Sequence, residues 1–219
     1  MTIYEALQKI DPEVGKQLAL EYFAEHPDFP GTGAFAGSHF DAFVDDPTPV
    51  NEVTASDLLA VQMLAVKVPS RAVLGILETY ASRITELLAA IDSDLRLENV
   101  PEDEFDSVLG KESPAQALWD LLRRDDPGEE RWDVGETIAS KIMARKRPHL
   151  IPIDDRVVTR VIGRGRQNSW RMWWSELRAD SYLTERAEEV KEHVNRTDLS
   201  TLRALDIVLW MSGRRPSTN

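Results

Sequence analysis

The chain has 219 residues, 42% hydrophobic and 29% charged, which is enough apolar content for a continuous core in one compact unit, with length enough for two lobes. Its net charge of −12 argues against broad nucleic-acid binding, and zero cysteines exclude disulfides, thiolate metal sites, thiol nucleophiles and cysteine-held iron–sulfur clusters. No apolar run approaches the roughly 20 residues that cross a bilayer, and the opening MTIYEALQKIDPEV has early acids and no hydrophobic signal region; a cytoplasmic protein without a membrane partner is expected.

The dominant period is helical. TIYEALQKI and PEVGKQLALEYFAEH set Leu7, Ile10, Val14, Leu18 and Tyr22 at steps of three and four, predicting two helices, the second opening at Pro12. The stretch from Pro27 to Val53 is rich in Pro and Gly and predicts a long irregular segment that packs Phe35, Phe40 and Phe43 on the core. Thr54 and Asp57 have capping-box spacing, with Asp in place of the usual Glu or Gln, and open a nearly all-apolar run, DLLAVQMLAVKV, expected as a buried central helix. SRAVLGILETYASRITELLAAI reads as one long amphipathic helix, and SPAQALWDLLRR begins with Ser113 as cap and Pro114 at the first helical position. After a break, ETIASKIMARKR is helical again; Pro148 and Pro152 exclude helix across PHLIPI, and Asp154 or Asp155 caps a further helix, RVVTRVI. Two or three more helices fill the C-terminal third. With no persuasive strand pair and no repeat, the fold class is all-α, a bundle of about nine to eleven helices.

Charge is unevenly spread. Between Lys141 and Arg171 there are nine Lys/Arg (141, 145, 146, 147, 156, 160, 164, 166 and 171) against two acids, a cationic stretch on an acidic chain. In the same region two helices, ending near Arg124 and starting near Glu136, form a helix-hairpin-helix pattern. Gly135 stands where backbone N–H groups and the positive end of the helix dipole can meet a phosphate. Asp154 and Asp155 sit where a helix begins. An ionised Asp there can stabilise an oxocarbenium-like centre or activate a water in glycosidic bond cleavage, or can serve only as an N-cap.

His26, His39, His149 and His193 have no metal-ligand spacing, so neither metal nor cofactor is expected; His149 alone lies near the Asp pair. Trp170, Trp173 and Trp174 have core-like helical spacing, with base stacking beside Arg166 and Arg171 as the other reading. GTGAFAG lacks the Lys-Ser/Thr of a P-loop.

VGETIASKIMARKRPHLIPIDDRVVTRV resembles the core of the helix-hairpin-helix DNA glycosylase superfamily, here spanning about residues 113–163. In that superfamily the hairpin ends in Val-Gly and a catalytic Asp heads the helix after the next. The resemblance implies DNA or a nucleotide-like ligand as partner, with Val134, Gly135 and Thr137 at the hairpin, Lys141, Arg145, Lys146, Arg147 and His149 beyond it, and Arg156 and Arg160 after the acids. The endonuclease III branch selects Asp155 as catalytic; the Pro-hydrophobic-Asp pattern of the 8-oxoguanine branch selects Asp154. Asp133 replaces the hairpin's first glycine. Thr137 stands at the lysine of bifunctional members, so a monofunctional reaction is what the resemblance implies. The whole chain, through FAGSHFDAF, VTASDLLAVQMLAVKVP, ASKIMARKRPHLIP and LRALDIVLWMSG, also resembles an actinobacterial family defined only as a domain of unknown function, whose motif favours Asp155. The alternative is a non-catalytic module on the same scaffold with a protein partner.

Overall fold

The computed structural model describes residues 1–43, 49–125, 128, 130–163 and 169–214, with backbone only at 30–32. In chain order the elements are α1 (Ile3–Gln8), α2 (Pro12–Phe23), β1 (Glu25–His26), β2 (Phe29–Gly33), α3 (Ala55–Met63), α4 (Ser70–Leu74), a π-helical turn (Gly75–Thr79) and α5 (Ala81–Ala89). There follow α6 (Phe105–Leu109), α7 (Pro114–Arg123), α8 (Glu136–Lys146), α9 (Arg156–Val161), α10 (Ser169–Ala179), α11 (Tyr182–His193) and α12 (Thr201–Arg214). The chain is thus mostly helical. Among the described residues no helix is long and apolar enough to cross a membrane. The chain divides into two compact units: Met1–Ser38 with Pro152–Asn219, and His39–Ile151.

In the first unit, α1 starts with a capping box between Thr2 and Glu5, and α2 starts with Asp11 accepting from the amides of Glu13 and Val14 ahead of Pro12. α12 is the core helix, buried from Thr201 to Leu209 and packed against α2, α9 and α11. Gly213 lets α12 approach α9 closely; a β-carbon there would lie 2.7 Å from Val157 Cγ1 and nearer still to Val161 Cγ2. Buried polar side chains interrupt this core, Arg203 among them. Arg203 donates to Asp206 (2.6 Å), to the Tyr22 hydroxyl (2.7 Å) and to the Gly37 carbonyl (3.0 Å).

One expectation is corrected here. The Pro/Gly-rich segment opens with an antiparallel hairpin of β1 and β2, pairing Glu25 with Gly33 and His26 with Phe29. A strand containing Pro30, Gly31 and Gly33 has no alternating pattern by which to be read.

The second unit packs α3 on α8 and α5 on α7, with α7 beside α8. Two expectations change. α3 is not a wholly buried central helix: it stops at Met63, Ala65 takes a left-handed φ of 57°, and Leu59 is exposed. The long amphipathic helix is also interrupted, passing through a π turn at Gly75 and breaking at Tyr80 before α5. The Trp132 indole packs directly on Gly75, so a β-carbon there would fall inside the ring, 2.6 Å from Cη2 with Cε2 and Cζ2 closer. Trp132 also meets Tyr80 edge-on at 5.6 Å between centroids. Gly75→Ala should therefore destabilise the protein by about 1–3 kcal/mol through overpacking. Thermal unfolding followed by circular dichroism checks this; a melting temperature equal to that of the parent would show that the indole moves aside freely.

Candidate functional site

Helix α7 ends at Arg123 and α8 begins at Glu136, and described residues between them are held by contacts within the second unit. Ser113 Oγ accepts from the Gln116 amide (3.1 Å) and Pro114 opens α7, whose C-cap, Arg124, has a left-handed conformation, φ 47°. The Arg124 guanidinium lies 4.7 Å from the Tyr80 ring centroid and 5.1 Å from that of Trp132, while its Nε donates to the Glu130 carbonyl (3.0 Å). Val134 is buried, Gly135 is exposed and Thr137 half-buried. At Gly135 an added β-carbon would meet nothing within 4 Å, and no side chain caps the start of α8. Two acids stand beside that open helix start: Asp133, exposed with φ 56°, and Glu136, which pairs with Arg123 at 3.4 Å. The positive end of the helix dipole there favours an anion, and the two carboxylates oppose one.

The adjacent acids of the other unit have different surroundings. Asp154 is buried, and its Oδ2 accepts from Ser169 Oγ at 2.9 Å. Asp155 is half-exposed and is the N-cap of α9, its Oδ1 accepting from the Val157 amide at 2.8 Å. Arg156 and Arg160, one helical turn apart on α9, are both exposed. His149 is half-buried in the second unit, where its carbonyl accepts from the Leu97 amide (2.9 Å). Trp170, Trp173 and Trp174 are all buried, in keeping with their helical spacing. Arg164 and Arg166 lie outside the described residues.

The basic run of α8 requires the largest correction. Lys141, Arg145, Lys146 and Arg147 were expected on a cationic face, yet Lys141, Lys146 and Arg147 are buried and Arg145 nearly so. Each charge is taken up inside the second unit. Lys141 Nζ donates to the Leu64 carbonyl at 2.9 Å, capping the C-terminal end of α3. Arg145 donates from Nε to Asp57 Oδ1 (3.1 Å) and from its two terminal nitrogens to the carbonyls of Phe40, Asp41 and Phe43. Lys146 Nζ bridges Asp57 Oδ2 (3.0 Å) and the Pro49 carbonyl (2.8 Å). Arg147 donates to the carbonyls of Leu88, Ile91, Val50 and Lys146 and to Asn51 Oδ1. In this arrangement none of these side chains can offer a free charge to a phosphate.

Asp57 and Asn51 were missed as partners. The one visible signal was Asp at the third position of the α3 capping box, where Glu or Gln is usual. The shorter side chain accepts from the Thr54 amide (2.9 Å) and hydroxyl (3.0 Å) with the same oxygen that meets Lys146. Burial alone would raise the Asp57 carboxyl; the Thr54 amide, Lys146 and Arg145 outweigh it and hold it below the usual carboxylate range.

Removing this acid leaves buried cations uncompensated, so Asp57→Ala should cost on the order of 3–5 kcal/mol, measured by urea unfolding. A carboxyl depressed in the folded state contributes stability that is full above its unfolded value, about 3.9, and is lost as pH falls through the lower folded value. The parent should accordingly lose stability below about pH 4, and Asp57→Asn should show a shallower acid slope. Identical slopes would mean that this carboxyl does not govern acid stability.

No curated protein and no solved structure matches this chain. A protein-family model does match, over residues 15–213, and so takes in most of α2, the α7–α8 hairpin, the Asp154–Asp155 pair and α12. The chain belongs to that family, a family of unknown function designated DUF6308.

Proposed function

We propose that this protein is helix-hairpin-helix glycosylase-like, binds nucleic acid or a nucleotide-like ligand, and hydrolyses an N-glycosidic bond with Asp155 as its carboxylate. The observation that carries this reading is the division of labour between two neighbouring acids. Asp154 is buried against Ser169, whereas Asp155 is half-exposed at the head of α9 with one oxygen on the Val157 amide. An acid anchored by a backbone amide yet open to solvent has a fixed orientation and can still reach a ligand.

In the reaction the C1′–N bond breaks, its electron pair leaves with the base, and a water oxygen bonds C1′. The Asp155 carboxylate stabilises the cationic sugar and accepts a proton from that water, while the departing base takes up a proton from solvent. Thr137, where bifunctional members have lysine, supplies no amine for a Schiff base, so the strand stays uncut.

Asn caps a helix as well as Asp does, so Asp155→Asn removes the charge and keeps the cap. Base release, read as free base by chromatography or as alkali-labile abasic sites, should drop about 10²- to 10⁴-fold while oligonucleotide binding persists. Undiminished base release in the variant would end the catalytic role.

A second reading, a non-catalytic module for a protein partner, draws on the inward turn of Lys141, Arg145, Lys146 and Arg147, which removes four charges from the expected cationic face. A stoichiometric protein partner, together with no retention of any oligonucleotide at low salt, would favour it.

A further inference from the structure

We infer that the first unit carries a track for single-stranded nucleic acid along α9 and the end of α12, with phosphates on Arg156 and Arg160 and a base against Arg214. This deepens the nucleic-acid reading above and rests on it. Arg156 and Arg160 are exposed, four residues apart, and therefore on one side of α9, with Val157 and Val161 turned toward α12. Among the described residues neither arginine has a carboxylate partner. Other cations of the same unit do: Lys16 pairs with Glu13, Lys191 with Glu188, and Arg196 with Asp198. Two unneutralised guanidinium groups one turn apart suit successive phosphates of a flexible strand.

Arg214 supplies the second ingredient. The Gly213 contact with α9 brings the last turn of α12 beside the same helix. There the Arg214 guanidinium lies 4.8 Å from the ring centroids of both Phe35 and Trp210, two half-buried aromatics set at 89° to each other. Tyr22 stacks against Phe35 from within, at 5.7 Å and 8°. An exposed arginine supported on rings in this way is held in place and offers a guanidinium plane on which a base can stack. Cationic side chains next to a stacking surface are the combination that binds single strands, whose bases are free to leave the stack; paired bases in a duplex are not.

The test is fluorescence anisotropy with labelled oligothymidylate of about twelve nucleotides, and with a duplex of equal length, at roughly 50 and 200 mM salt. The single strand should bind more tightly than the duplex, weaken by about tenfold or more across that salt range, and lose at least about tenfold in the Arg156→Glu/Arg160→Glu double variant. Arg214→Ala should weaken single-strand binding and leave duplex binding unchanged. All three side chains are exposed, and circular dichroism verifies that the variants fold. Single-strand binding unaltered in both variants, or duplex preferred over single strand, would overturn this assignment and leave the nucleic-acid reading standing; no binding of either by the parent would overturn both.

Discussion

The second unit depends on one buried carboxylate. Asp57 closes the capping box of α3 through Thr54 and at the same time receives Arg145 and Lys146 from the last turn of α8. The same two side chains, with Arg147 next to them, reach five backbone carbonyls between Phe40 and Val50. Backbone in an irregular segment has no ladder to satisfy its carbonyls, and buried carbonyls need donors. Long cationic side chains carry several donors on a flexible stem, so a short basic run at a helix end can satisfy several such carbonyls at once. Asp57 then offsets part of the charge collected in doing so.

Arg147 shows the same logic with no carboxylate paired to it among the described residues. Its guanidinium is buried and spends its donors on the carbonyls of Leu88 and Ile91 at the end of α5, on Val50 and Lys146, and on Asn51. The last carbonyls of a helix carry its negative partial charge, so a cation there meets favourable electrostatics as well as unfilled acceptors. On the opposite side of the hairpin, Trp132 and Gly75 form the apolar counterpart of this tie, with Arg124 laid over Trp132 and Tyr80. Arg124 and Trp132 are therefore held by packing ahead of α8, and the end of α8 is held by hydrogen bonds.

Local signals were legible in the sequence because they are local. Ser113 with Pro114, Thr54 with Asp57, Pro12, and Asp155 before α9 each act within one turn of helix, and each is found doing so. What could not be read depends on residues far apart in the chain. Nothing near Lys146 announces Asp57, which is 89 positions away. Nothing near Gly75 announces Trp132, so a continuous amphipathic period concealed the π turn and the break at Tyr80. The α3 run ended early for a similar reason: apolar content beyond Met63 does not reveal that Ala65 turns left-handed. For the site, the spacing located two acids and could not say which of them is buried; Ser169, fourteen residues past Asp155, marks the buried one.

Counting charge along the chain and locating charge in space give different answers for this protein. Of the basic residues between Lys141 and Arg160, the three on α8 and Arg147 at its C-cap are consumed by carbonyls and Asp57, and only Arg156 and Arg160 are exposed. The acidic average of the chain is thus not relieved by a broad cationic face on α8. Counterion release from a polyanion scales with the phosphates that are neutralised, so a surface with few available cations must gain its affinity elsewhere, from backbone amides or from stacking. In the readings proposed above, the start of α8, which has no side-chain cap, and the arginine supported on Phe35 and Trp210 are the candidates for those contacts, each within its own unit. A net charge of −12 therefore says little about where in this chain an exposed cation is to be found.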